Sequence, residues 1–293
     1  MRSVPRVICA PAERVMLGEG PVWDDRAQTL YWVDIERGDL HQCNADGSRA
    51  KVTRVGERLG CVALRANQEG FIAGLEHRIG LLSVNPLLIE TLLAPEREQT
   101  ANRCNDGKCD PKGRFWVGTS NKAGDAASGW LYRIAPDGHT ARTAGPFVCT
   151  NGPQVSPDGN TLYCVDTYGK TIYSYRMDGA GELSDKEVLL RFDNPAWGYP
   201  DGLTCDVEGC LWVAHWAGAR VSRFSPTGDL LESIELPVSQ VTSCTFGGAD
   251  LRTLFITSAS LGLEDPPKPE ELAGALFAVD LDVGGLPAAR YGG

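Results

Sequence analysis

The sequence has few histidines, no long apolar run and no basic stripe, and each shortage removes a class of function. His41, His77, His139 and His215 are the only four. They fall in different segments, so no histidine-rich metal cluster and no histidine-anchored triad is spelled out. His215 follows the strand Leu211-Trp-Val-Ala, where a structural hydrogen-bonding role is the expectation. No apolar stretch approaches the length needed to cross a membrane. The 28 Lys and Arg are dispersed and outweighed by 38 Asp and Glu, for a formal charge of −10. Such a chain offers no surface to phosphates, so neither a nucleic-acid nor a membrane partner is expected. A Gly-x-Ser-x-Gly elbow and a phosphate-cradling glycine loop are both missing, and helical periodicity is nearly absent. Met1 to Arg6 turn charged too early for a signal peptide, so a cytoplasmic location is expected. The ten cysteines do not change this: Cys61, Cys164, Cys205 and Cys244 occupy apolar slots, where a free thiol packs as a small hydrophobe.

What the chain does have is a sixfold repeat. Leu30-Tyr-Trp-Val, Phe71-Ile-Ala-Gly, Phe115-Trp-Val-Gly, Leu162-Tyr-Cys-Val, Leu211-Trp-Val-Ala and Leu254-Phe-Ile-Thr recur at intervals of roughly 40–50 residues, the period of a four-stranded propeller blade. A second hairpin follows each of them, starting at Leu40, Ile79, Leu131, Ile172, Val221 and Leu276. Period-two alternation bounded by Asp-Gly and proline-containing turns predicts an all-β, six-bladed β-propeller as one domain over residues 1–293. The N-terminal segments Arg6-Val-Ile-Cys and Arg14-Val-Met-Leu are expected to supply the outer strand that closes the ring. Segments 121–128, 193–200 and 258–273 are read as loops over one face, with a short helix possible at Pro269-Glu-Glu-Leu-Ala.

The residue that opens each repeat carries the functional signal. These positions, read as turn segments, are Glu19, Val62, Asn105, Asn151, Asp201 and Ser243. Equivalent positions of a cyclic repeat meet at its axis. Asn-Asp-Gly, Asn-Gly-Pro and Pro-Asp-Gly are each ordinary turn sequences. Together, two carboxylates and two amide oxygens suit one divalent cation. An all-oxygen set prefers a hard ion, so calcium is expected, with manganese, magnesium and zinc compatible. Trp32, Trp116 and Trp212 are read as blade packing, whereas Trp197 and Trp216 lie near loops and are candidates for a pocket wall.

Five motifs, in order over nearly the whole chain, resemble the senescence-marker-protein/gluconolactonase/luciferin-regenerating family. They are Leu17-Gly-Glu-Gly-Pro-Val-Trp, Asn102-Arg-Cys-Asn-Asp-Gly-Lys, Asn151-Gly-Pro-Gln-Val-Ser-Pro-Asp-Gly, Pro200-Asp-Gly-Leu-Thr-Cys-Asp-Val-Glu-Gly and Ala273-Gly-Ala-Leu-Phe-Ala-Val. The resemblance implies a six-bladed propeller with one catalytic divalent metal that hydrolyses an aldonolactone. Carried over residue by residue, it makes Glu19, Asn151 and Asp201 the metal ligands and places Asn105 beside metal and substrate. It also matches Arg103 to the arginine that contacts the sugar. One position departs. Ser120-Asn121-Lys122 stands where the family often has an acidic residue that binds substrate hydroxyls, which makes Asn121 the candidate contact and admits a lactone bearing an anionic group.

The expected chemistry is hydrolysis of a cyclic sugar ester without a serine nucleophile. A carboxylate takes the proton from the attacking water, Asp201 in first place and Asp106 in reserve. The small-molecule lactone is the expected partner, and the chain is expected to be a monomer or small homo-oligomer. Two other readings remain open on the same scaffold: a metal-dependent esterase or organophosphate hydrolase, and a non-enzymatic calcium-binding propeller.

Overall fold

A single strand hairpin with apolar residues on both faces cannot stay in water, and the repeat resolves this by stacking. In the computed structural model, which describes residues 4–9, 14–263 and 270–293, six antiparallel four-stranded sheets surround a common axis as the blades of a propeller. The innermost strands are Gly18–Asp24, Leu59–Leu64, Asn102–Cys109, Thr150–Val155, Tyr199–Cys205 and Val241–Gly247, in blades one to six. Each touches the next around the ring, and the sixth touches the first.

The core lies between blades, in six clusters, because successive side chains of a strand point to opposite faces. Along Phe115–Asn121 in blade three, Phe115 and Val117 enter the cluster shared with blade two. Trp116 enters the one shared with blade four. Blade five repeats the arrangement, with Leu211 and Val213 facing blade four and Trp212 facing blade six. Trp32, Trp116 and Trp212 are buried as blade packing expects. Cys61, Cys164, Cys205 and Cys244 are buried free thiols, and the other six cysteines are free as well.

The ring closes between its two ends. Strand Arg6–Cys9 pairs antiparallel with Leu276–Asp280 and completes blade six. Arg6 reinforces the seam through a two-pronged contact with Asp280, 2.6 and 3.1 Å. Of the two segments expected here, only Arg6–Cys9 forms the closing strand. Leu17 instead bridges to Ala259, next to the start of the innermost strand of blade one. The helix expected at residues 269–273 falls partly on residue 269, outside the described residues, and residues 271–274 form a turn.

The axial residues do not sit in turns, as expected, but inside the innermost strands. A register shift interrupts the ladder of each of these strands close to its axial residue, as between Glu19 and Val22, Asn151 and Gln154, and Pro200 and Leu203. The extra residue of a β-bulge re-aims a side chain, and here it does so toward the axis. Gly20 and Gly152 stand at φ of 51° and 47° immediately after Glu19 and Asn151, a conformation that glycine adopts without strain. The register also corrects one assignment. Glu19, Asn151 and Ser243 lie opposite Val33, Val165 and Thr257, the fourth residues of the aligned strands, but in blade two the fourth residue, Gly74, faces Cys61 rather than Val62.

Candidate functional site

Glu19, Asn105, Asn151 and Asp201 arrive from blades one, three, four and five at one end of the axis, all buried. A chain of amide contacts links three of them. Asn105 Nδ2 donates to Asn151 Oδ1 and to the Thr150 carbonyl, each at 2.9 Å. Asn151 Nδ2 donates to Asp201 Oδ1 at 2.6 Å and to Thr167 Oγ1 at 2.9 Å. Arg103 Nη1 donates to Asn105 Oδ1 and to the Cys104 carbonyl. Among the described residues Arg103 forms no ion pair, and it is only partly buried. It is a cation held at the rim of an acidic site with donors to spare.

Asp106 is fixed differently. Its Oδ1 accepts from the Gly107 amide at 2.8 Å and its Oδ2 from the Gly152 amide at 2.9 Å, so it ties the bulges of blades three and four together. Close packing enforces this. A Cβ at Gly107 would come within 2.8 Å of Cys61 Sγ and of the Trp116 carbonyl oxygen.

The carboxyls of Glu19 and Asp201 both titrate well above the ordinary carboxylate range. Burial is the larger cause, and the charge of Asp106 and of each carboxyl's acidic neighbours adds to it. Arg103 draws both back slightly. Like charges gathered in a dry place call for a compensating positive charge.

A divalent cation fits that demand. The donors are carboxylate and amide oxygens, with the Ser243 hydroxyl of blade six buried nearby and without a hydrogen-bond partner. Ser243 lies against the chain beside Asp201, since a Cβ at Gly202 would fall 2.1 Å from its Oγ. Among the described residues no three His, Cys, Asp or Glu side chains converge as a metal-holding group, so a ligand set here would have to include amide oxygens.

Other residues belong to the site that motif reasoning did not single out. Cys149 Sγ lies 3.8 Å from Nδ2 of both Asn105 and Asn151. Burial pushes its thiol up to about 11, and the charge of Asp201 adds to this. The Thr150 carbonyl and the Thr167 hydroxyl hold the side-chain amides of Asn105 and Asn151, and Ser120 Oγ accepts from the backbone amide of Thr150. Adjacency to Asn151 is the only sequence signal for Cys149 and Thr150, and Thr167 has none.

Three expected participants have other engagements. Asn121 is buried at the end of its strand, and its Oδ1 caps a turn by accepting from the amides of Ala123 and Asp125. Lys122 Nζ is paired with Glu76 at 3.2 Å, and Glu76 also holds Arg58. Trp197, half-buried, stacks edge-on against Phe192, His215 and Phe224 and packs against the core between blades four and five. His215 Nδ1 lies 2.9 Å from the Trp197 carbonyl oxygen, and burial lowers its pKa to about 4, as a structural, neutral imidazole requires.

Residues 17–260 match the SMP-30/Gluconolactonase/LRE-like region. A 6-deoxy-6-sulfogluconolactonase of Pseudomonas putida is 37% identical over 290 residues, covering 97% of this chain and 98% of that protein. An L-arabinolactonase of Azospirillum brasilense is 34% identical, covering 96% and 93%. The solved structure of a calcium-binding protein, regucalcin, from Agrobacterium tumefaciens superposes with a TM-score of 0.91 at 26% identity, covering 99% of this chain and 97% of that one. With the sixfold ring, the bulged axial strands and the match across most of its length, the chain belongs to the SMP-30/gluconolactonase/LRE family.

Proposed function

We propose that the protein hydrolyses an aldonolactone to the aldonic acid with the help of one divalent cation, calcium being the ion the donors favour. The observation that carries this reading is the buried contact of Asn151 with Asp201, whose carboxyl also feels the charge of Glu19, beside an arginine that forms no ion pair among the described residues. Relatives named as sugar lactonases support it. Glu19, Asn151 and Asp201 would hold the cation, which when bound supplies Lewis-acid polarisation of an ester carbonyl.

The remaining work falls to the protein's own groups. Arg103 has guanidinium donors free to take hydroxyl and carbonyl oxygens of the sugar, while its bonds to Asn105 Oδ1 and the Cys104 carbonyl fix its direction. Asn105 is locked by three contacts and presents a fixed dipole beside the substrate. The proton of the attacking water goes to Asp201 rather than to Asp106, because both oxygens of Asp106 already accept backbone amides. Thr167 and Thr150 keep Asn151 and Asn105 in register, so that neither amide has to reorganise as charge develops.

The test is an assay of ring opening over pentono- and hexonolactones, with protein stripped by chelator and then reloaded. Opening above the buffer rate that disappears on stripping and returns with a divalent ion is the expected result. Undiminished opening by the stripped protein, or none with any lactone, overturns the proposal.

A further inference from the structure

The innermost strands build a second enclosure that the axial cluster does not use. One to four positions downstream of the axial residues, at the opposite end of the channel, they line a cavity of about 410 Å³. Val22, Val62, Lys108, Val155, Thr204 and Thr245 come one from each blade. Residues 286–289 form part of its rim, anchored on either side by bridges from Gly285 to Asp206 and from Tyr291 to Arg65. Gly20 and Gly107, the residues that follow Glu19 and Asp106, lie in its wall, so the cavity begins where the acidic layer ends. Its volume falls within the roughly 300–1,000 Å³ of small-molecule sites.

Its charge is unusual for this protein. No Asp, Glu, Arg or His lines it, and Lys108 is the one charged side chain among the described lining residues of a chain carrying −10 overall. Lys108 Nζ donates to the Leu203 carbonyl and, at 3.5 Å, to Gln154 Oε1. An ammonium has three donors, so one is left over. Among the described residues Lys108 forms no ion pair. A cation with a spare donor and no carboxylate within ion-pair distance among the described residues, partly buried in a mostly apolar lining, is a place for one negative charge.

We propose that this cavity is a second ligand site, selective for a small monocarboxylate with a compact apolar body. The carboxylate meets Lys108, and the body packs on Val22, Val62, Val155 and Leu286. A dianion would leave its second charge unmatched, and a polyhydroxylated sugar acid would find only Gln154, Ser156, Thr204 and Thr245 for its hydroxyls in a mostly apolar lining. The site therefore takes a ligand class distinct from an aldonolactone or its product, and binding there requires no turnover.

The experiment is a fluorescence titration of the metal-loaded protein with 2-naphthoate and, in parallel, with its neutral analogue 2-naphthylmethanol. We expect saturable naphthoate binding at least about tenfold tighter than that of the alcohol, the scale of a charge-assisted hydrogen bond. Lys108→Met should erase the preference. Because Lys108 also links blade three to blades four and five, Ala289→Trp at the rim serves as the second variant, and its bulk should weaken naphthoate about tenfold or more at an unchanged thermal midpoint. Equal affinity for acid and alcohol in the parent protein, or naphthoate binding untouched by Ala289→Trp, overturns the proposal.

Discussion

Buried aspartates of the blade turns and buried acids of the axis are the same chemistry put to opposite uses. Asp110 in blade three and Asp206 in blade five are each 0% exposed. Asp110 accepts two backbone amides on Oδ1, and Arg114 Nε at 2.5 Å and Trp116 Nε1 at 2.8 Å on Oδ2. Asp206 does the same with two amides, Trp212 Nε1 at 3.0 Å and Arg223 Nε at 2.8 Å. Glu19 and Asp201, at 5% and 4% exposure, are nearly as buried but have no cation in contact among the described residues and repel each other. A saturated carboxylate stabilises a turn. An unsaturated one, placed where other acids also point, stores a demand for positive charge, and that difference marks the candidate site better than burial does.

The comparison breaks most decisively if the two kinds of acid are interchangeable. Glu19→Ala or Asp201→Ala should abolish divalent-ion binding and lower kcat/KM for lactone opening by about a thousandfold or more. The metal-free fold should lose little, because one carboxylate is relieved of its neighbour. Elemental analysis and a thermal melt of the stripped variants check both halves. Full ion occupancy in either variant removes the assignment.

Asp110→Ala should do the reverse. Stranding Arg114 and Trp116 Nε1 should cost about 3–5 kcal/mol of stability, read from a shifted denaturant midpoint, while the folded fraction keeps its ion content. An unchanged midpoint would mean that saturation carries no structural weight.

Arg103→Ala sharpens the comparison from the cationic side. Arg103 forms no ion pair among the described residues and keeps donors for substrate, so its loss should lower kcat/KM by roughly tenfold to a hundredfold without releasing metal. Steady-state kinetics together with ion content decide it, and unaltered kinetics on every lactone turned over would make Arg103 structural.

The smallest expected effect is a slope with pH. The folded pKa of Glu19 lies above its unfolded value, near 8 against 4.5, and that of Asp201 is raised as well. The folded, metal-free protein thus binds these protons more tightly than the unfolded chain does. Their contribution to stability is complete below the unfolded values and is lost as pH rises toward the folded ones. Buried His215, shifted down to about 4, acts in the opposite sense and only below its ordinary 6.5. Between pH 6.5 and 8 the thermal midpoint of chelated protein should therefore fall with pH, and saturating cation should flatten the fall. Parallel curves with and without cation would disconnect these acids from any ion.

The propeller and its axial register were legible because both rest on repetition. Strands such as Phe115-Trp-Val-Gly alternate between two inter-blade cores and cannot be mistaken for helices. The innermost strands looked like turns because Gly20-Pro21 and Gly152-Pro153 contradict strand propensity, and only the ladder shows that the break is a bulge within a strand. Blade two slipped by one residue for the same reason, since Cys61 and Val62 are both apolar and nothing marks the register. The segment Ser120-Asn121-Lys122 looked like a selectivity handle because Glu76, which pairs with Lys122, lies 46 positions away and belongs to another blade. The lower cavity left no signature, since each inner strand contributes only a few positions to it and residues 286–289 reach it from outside the repeat.

The seam between Arg6–Cys9 and Leu276–Asp280 bears on how the molecule is made. Arg6 and Asp280 are 274 positions apart, so the closing strand leaves the ribosome long before its partner exists. At cellular rates of synthesis the wait is on the order of tens of seconds. During that time the first blades can stack, but the strand that locks the circle stays an unpaired edge, open to any other extended segment nearby. A nascent chain stalled before residue 276 is therefore the form in which this protein is most exposed to partners other than itself, and the final blade acts as a latch on its biogenesis.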